Sequence, residues 1–86
     1  MKNVITQEDI GSLMESSTRR VAKIGKKTCV VCLQLPSGFE ITETSACVDP
    51  ANYDEKIGEE ICLDRIKNKL WELEGYKLQN TIFEEK

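Results

Sequence analysis

Apolar positions recur at helical spacing near both ends of the chain and at strand spacing between them, so period alone predicts helix, strands, helix. Thr6-Gln7-Glu8-Asp9 has the Ser/Thr-x-x-acid form of a helix start, and Ile10, Leu13 and Met14 follow on one face. A short helix over about 6–16 is predicted, weakened by Gly11. Val21, Ala22 and Ile24 among Arg19, Arg20 and Lys23 then predict a strand with a charged outer face, with Lys26-Lys27 as the turn. Thr28-Cys29-Val30-Val31-Cys32-Leu33-Gln34-Leu35 is nearly continuous and β-branched, which predicts a strand covered on both faces. Pro36-Ser37-Gly38 supplies a turn before a third strand over 39–46, completing a hairpin in which Phe39 and Ile41 share one face and Glu40, Thr42 and Thr44 the other.

Asp49-Pro50 reads as a helix start, with Asp54 or Asn52 as the alternative cap. A long helix over about 54–73 follows, in which Ile57, Ile61, Cys62, Ile66, Leu70 and Leu73 predict one buried stripe. Leu63 and Trp71 widen that stripe beyond what a three-stranded sheet needs, so a second copy of the helix is expected to cover the excess. Gly75 predicts an interruption, with Tyr76, Leu78, Ile82 and Phe83 continuing the apolar pattern after a kink or along an arm that crosses to a neighbour. The predicted class is α+β: one domain over 1–86, with a small antiparallel sheet of about three strands followed by a long kinked C-terminal helix that zips protomers together.

With 40% hydrophobic and 31% charged residues the chain is foldable, while 86 residues bury only a modest share of their surface, which favours self-association. A net charge of −3 argues against general binding to DNA or RNA. No apolar stretch approaches membrane length and Met1-Lys2-Asn3-Val4-Ile5 runs straight into polar residues, so neither a membrane segment nor a signal peptide is expected and the predicted compartment is the cytoplasm. In that reducing setting Cys29, Cys32, Cys47 and Cys62 read as small buried hydrophobes. A zinc site is disfavoured because residues three apart on a strand point to opposite faces and the other two cysteines form no second pair. No metal or cofactor is expected.

The chain has no histidine, which removes the commonest acid-base group and the histidine-paired nucleophiles, so an enzyme is the weak hypothesis. The carboxylates fall mostly in helix-surface pairs such as Glu59-Glu60 and Glu72-Glu74, as on a solvated face. Arg19, Arg20, Lys23, Lys26 and Lys27 come without an intervening acid. They read either as the charged guard of an edge strand or as a phosphate-contacting patch, sharpened if Arg65, Lys67 and Lys69 converge on it. Phe39, Tyr53 and Tyr76 fit core packing or stacking on a base. The polar corner over 45–54, between a strand end and a helix start, is the place where loop amides, a helix terminus and cations can meet an anion.

The order Gly38-Phe39, Thr42, Ser45-Ala46-Cys47-Val48-Asp49-Pro50-Ala51-Asn52-Tyr53-Asp54, Ile57-Gly58, Asn68-Lys69 and Leu70-Trp71-Glu72-Leu73-Glu74-Gly75-Tyr76 resembles a family of small conserved phage and prophage proteins that includes the Thoeris anti-defence signal sponges. The resemblance implies a non-catalytic protein of the infected bacterial cytoplasm. It would sequester a cyclic ADP-ribose isomer made by TIR-domain enzymes and, in some members, cyclic oligonucleotides of the CBASS type. It implies a homodimer, with a hexamer built as a trimer of dimers as the larger assembly. By position, Phe39 would flank the ligand, Ser45, Asp49 and Asn52 would offer polar contacts, and Arg65 with Lys69 would meet the pyrophosphate; Arg19 and Arg20, read from the basic run itself, are the further candidate ligand contacts. The chain departs from the family pattern at Glu59-Glu60, where Arg-Lys is expected, and at Lys67, where arginine is expected. The competing reading is a protein-interaction module that inhibits a host protein by direct contact through the acidic helix surface.

Overall fold

The computed structural model describes residues 3–85; Met1, Lys2 and Lys86 lie outside the described residues, and with them part of the reading of the chain's start. Helix α1 (Gln7–Glu15) begins at the predicted box: the Thr6 hydroxyl accepts from the Asp9 amide at 3.2 Å and the Asp9 carboxylate accepts from the Thr6 amide at 2.8 Å. Strands β1 (Thr18–Ile24), β2 (Thr28–Gln34) and β3 (Glu40–Ala46) follow as an antiparallel sheet in that spatial order. Val21 stands opposite Val31, and Leu33 opposite Ile41. Gly25 (φ 70°) and Gly38 (φ 96°) take the left-handed conformation that the two connecting turns require.

Both acids named as possible caps are used. The Asp49 carboxylate accepts from the Ala51 amide at 3.0 Å and opens a short 3-10 turn (Pro50–Asn52). The Asp54 carboxylate accepts from the Lys56 and Ile57 amides at 3.0 and 3.3 Å and opens helix α2 (Glu55–Glu84). Asn52 caps nothing; it closes the 3-10 turn instead.

The core is a single seam between one face of the sheet and the two helices. Cys29, Val31 and Leu33 of β2, Ile41 of β3, Ile10 of α1, and Cys62, Ile66 and Leu70 of α2 are buried together. The apolar run of β2 predicts cover on both faces, but Thr28, Val30 and Cys32 on its other face are only partly buried, shielded by the flanking strands rather than by a second layer. The predicted stripe of α2 is also displaced. The buried line is Gly58, Cys62, Ile66 and Leu70, at steps of four, whereas Ile57, Ile61 and Leu73 are exposed.

The displacement has a steric cause. A methyl group placed on Gly58 would stand 2.9 Å from Cys29 Cβ and 3.1 Å from Ser45 Oγ, so only glycine lets the helix start lie this close to the sheet. The Ser45 hydroxyl donates to the Gly58 carbonyl at 3.2 Å and ties the two backbones together. The predicted interruption at Gly75 is absent: α2 is helical from Glu55 through Glu84. Twenty residues of formed helix precede Gly75, and extending an existing helix costs far less than nucleating one, which outweighs a glycine penalty of about 1 kcal/mol.

The two glycines of α2 should therefore respond oppositely to alanine. Gly58→Ala should cost about 1–3 kcal/mol through overpacking. Gly75→Ala, with nothing within 4 Å of the new methyl, should gain up to about 1 kcal/mol. Urea unfolding of both variants measures the contrast; equal and opposite shifts of the reverse sign would contradict the packing described.

Candidate functional site at the strand-helix corner

The end of β3, the 3-10 turn and the first two turns of α2 enclose a pocket of about 100 Å³ at the corner predicted from sequence. Ser45, Asn52 and Tyr53 line it, with Ile57 and Ile61 from α2 and Lys27 from the β1–β2 turn. Lys27 arrives because β2 pairs with β3: the Cys47 amide donates to the Lys27 carbonyl at 3.1 Å, one step beyond the Thr28–Ala46 pair. The Lys27 ammonium in turn donates to the Val48 carbonyl at 3.2 Å.

The corner's anion-binding amides are largely occupied. Asp54 holds the amides of Lys56 and Ile57, and Asp49 holds that of Ala51, so the protein's own carboxylates already occupy the helix start. The Cys47 thiol donates to the Asp49 carbonyl at 3.1 Å. Tyr53 is the exception. Its ring lies under the Lys23 ammonium, 4.6 Å from the centroid, while its hydroxyl is buried beside the weakly polar Cys29 thiol and meets no hydrogen-bond partner by distance and angle. Burial pushes the Cys29 thiol above its ordinary range, and the neighbouring Cys62 thiol adds to the shift. Burial likewise raises the Tyr53 phenol, followed by the influence of Cys29.

The other sequence-predicted residues are distributed around the molecule. Arg65 Nη1 donates to the Thr44 carbonyl at 2.7 Å, and Lys69 pairs with Glu43, so both cations lie along β3. Arg19 Nε is 3.2 Å from the Glu59 carboxylate. Arg20 is exposed on the open face of the sheet, opposite Cys32. Phe39 stands just before β3, more than half exposed. It is six residues from Ser45 along an extended chain, about 20 Å at strand rise, so one protomer cannot close both around one small ligand. Within the corner the structure brings together Ser45 and Asn52, with Asp49 beside them as a cap.

Sequence reasoning did not place Lys27, Ile57 and Ile61 at this site. The Ile57-Gly58 pair carried the usable signal, since a glycine beside an isoleucine at a helix start marks a close approach with the isoleucine turned outward. Glu59 also acquires a meaning: where a cation was expected, the acid pairs with Arg19. The cysteines do not converge, with Cys29 and Cys62 in the core, Cys32 on the open sheet face and Cys47 at the corner. Among the described residues no group of three or more metal-ligating side chains is assembled, and no helix is long and apolar enough to cross a membrane.

A three-stranded antiparallel sheet under one long helix, with a shallow polar corner where they join, defines a small two-layer α+β protein. Its residues 3–82 match the model of the phage protein (N4 Gp49/phage Sf6 gene 66) family, and the chain belongs to that family. No curated protein and no solved structure matches it.

The two raised groups give a testable pH dependence. In the unfolded chain they ionise near about 8.5 for cysteine and about 10 for tyrosine, whereas in the fold they hold their protons longer. The native state therefore binds more protons in this range, and stability should fall as pH rises above about 8.5. Tyr53→Phe with Cys29→Ala should flatten that alkaline slope in urea titrations between pH 7 and 10.5. An unchanged slope would assign it to other groups.

Proposed function

We propose that this phage-family protein is a non-catalytic, homo-oligomeric sponge that holds a cyclic nucleotide immune signal and keeps it from its effector in the infected cytoplasm. The ligand class is a cyclic ADP-ribose isomer made by TIR-domain enzymes, with CBASS-type cyclic oligonucleotides as further ligands. The observation that carries the reading is the corner pocket: the two ends of the motif Ser45–Asp54, one of those that carry the resemblance, line a concave surface with polar groups and exposed apolar flanks.

Size supports an assembly rather than a lone protomer. At about 100 Å³ the pocket is well below the roughly 300–1,000 Å³ that encloses a drug-sized ligand. Ile57 and Ile61 stand exposed at its rim, where a second protomer would bury them and deepen the cleft. The engaged cations are no obstacle. Lys69 is itself half-exposed, although its partner Glu43 is largely covered, and a bidentate arginine–phosphate bond is stronger than the bond from Arg65 to a neutral carbonyl. A bound pyrophosphate would compete with the present partners of Arg65 and Lys69.

The second reading, inhibition of a host protein by direct contact, draws on the exposed hydrophobics of the acidic α2, Tyr76 and Phe83 among them. One experiment separates the two. The purified protein is mixed with cyclic ADP-ribose isomers from an activated TIR enzyme, freed of unbound material and heat-denatured, and the released material is identified by mass spectrometry. Intact nucleotide is the expected result; hydrolysed product would indicate an enzyme, and no retained nucleotide would favour the interaction module. At a hundredfold excess over the dissociation constant, ligand should stabilise the fold by roughly 2.7 kcal/mol. Arg65→Ala and Lys69→Ala should each weaken binding about tenfold or more, as expected for losing a charge-assisted bond to phosphate, while the oligomer persists. Unchanged affinity in both would remove the two α2 cations from the site.

A further inference from the structure

In this acidic chain, of net charge −3, Arg19, Lys69 and Lys77 each stand beside a carboxylate. Several other cations form no ion pair among the described residues; of these, Lys27 lines the corner pocket and Lys23 lies against its wall. Strand alternation sends both there. Lys23 is the cross-strand partner of Cys29 and Lys27 lies two residues before Cys29, so they share the sheet face on which Cys29 meets Gly58. The Lys27 ammonium has three donors and meets one neutral acceptor, the Val48 carbonyl at 3.2 Å. The Lys23 ammonium lies 4.6 Å from the ring centroid of Tyr53, which is itself part of the pocket's lining.

We infer that Lys27, backed by Lys23, is a phosphate contact of the corner pocket, set at its β1–β2 turn end. The inference rests on the nucleotide reading and deepens it by giving the ligand a direction. The corner's own amides are closed to an anion, because Asp49 and Asp54 already hold those of Ala51, Lys56 and Ile57, so side-chain cations have to meet it. Arg65 bonds the Thr44 carbonyl, just before Ser45, and Lys27 bonds the Val48 carbonyl, just after Cys47. The two cations therefore flank the stretch of chain from which Ser45 and Cys47 line the pocket. A phosphate chain laid along that stretch has a cation at either end, which leaves the base and sugar to the exposed Ile57 and Ile61 of α2. Lysine suits the turn end, since a compact charge on a flexible stem follows a phosphate oxygen that a rigid guanidinium fork must meet in its own plane.

The cyclic ADP-ribose isomer recovered by heat from the wild-type chain is titrated calorimetrically into variants of the full chain. Lys27→Ala should raise the dissociation constant about tenfold or more, as for a lost charge-assisted bond, and adding Lys23→Ala should raise it further. Lys26→Ala removes the same charge from the same turn at a residue that does not line the pocket, and should change affinity less than about twofold. Lys27→Arg, which keeps the charge, should lose less than Lys27→Ala. All these side chains are exposed, so the far-ultraviolet circular dichroism and the urea midpoint should be retained. Unchanged affinity in the double variant, or a loss in Lys26→Ala as large as that in Lys27→Ala, overturns the phosphate contact and leaves the nucleotide reading in place. Equal losses in Lys27→Arg and Lys27→Ala overturn it as well, by showing that the charge is not what binds. A wild-type chain that yields no nucleotide overturns both.

Discussion

The contact of Gly58 with Cys29 and Ser45 is the constraint on which the rest of the fold depends. It sets the distance between α2 and the sheet, and everything farther along the helix inherits that distance. With the start of α2 pressed onto β2 and β3, Cys62, Ile66 and Leu70 fall onto the sheet at steps of four and close the core, while Ile57 is turned to the surface. The same contact forms the floor of the corner pocket, because the residue that allows close packing is the one whose neighbours on the chain, Ile57 and Asp54, become the pocket's wall and cap. Fold and candidate site thus rest on one glycine, and a change there should be felt in both.

Charge in this protein is arranged across that helix–sheet joint. Arg19 reaches Glu59 on one side of α2, and Lys69 and Arg65 reach Glu43 and the Thr44 carbonyl on the other. The cations of the two ion pairs are half-exposed, while the Glu59 and Glu43 carboxylates are largely covered. These interactions hold long side chains along the two flanks of the helix. For a phosphate-binding role this matters twice: the cations are preorganised near β3, and each already has a partner that an anion must displace.

Local chemistry made much of this fold legible in the sequence. The Thr6–Asp9 box, the Pro36-Ser37-Gly38 turn and the aspartates at 49 and 54 each encode a boundary through interactions within a few residues, and each forms as read. What failed depends on tertiary distance. An apolar run like that of β2 does not distinguish a strand covered twice from one shielded by its neighbours. A stripe containing Ile57 and Leu73 does not reveal that a close approach at Gly58 turns Ile57 outward, or that the sheet ends before it reaches Leu73. Gly75 illustrates the opposite error, in which a local penalty of about 1 kcal/mol is overridden by the helix it interrupts. At the candidate site the motif located the corner but not the partners of its charged groups, because Glu43, Glu59 and the Thr44 carbonyl reach their cations only once α2 lies on the sheet.

The division of α2 into a packed portion and a projecting portion links these threads. Among the described residues eight form the buried hydrophobic core, few for an 86-residue chain, and domains of this size gain stability from staples or partners. The four cysteines are free, so no covalent staple contributes among them. An α2 ended near Leu73 would still cover the sheet and would forgo only the groove that Glu74, Lys77, Leu78 and Thr81 form with α1. The continuation through Phe83, with its exposed apolar spacing, adds nothing to the packing of the sheet and leaves large hydrophobic side chains in water, at about 1.5–3 kcal/mol of forgone burial for each. That cost is offset only when those side chains are covered. A partner surface laid over them would make folding of the small core and formation of the complex thermodynamically linked, so that partner concentration itself becomes a stabilising term.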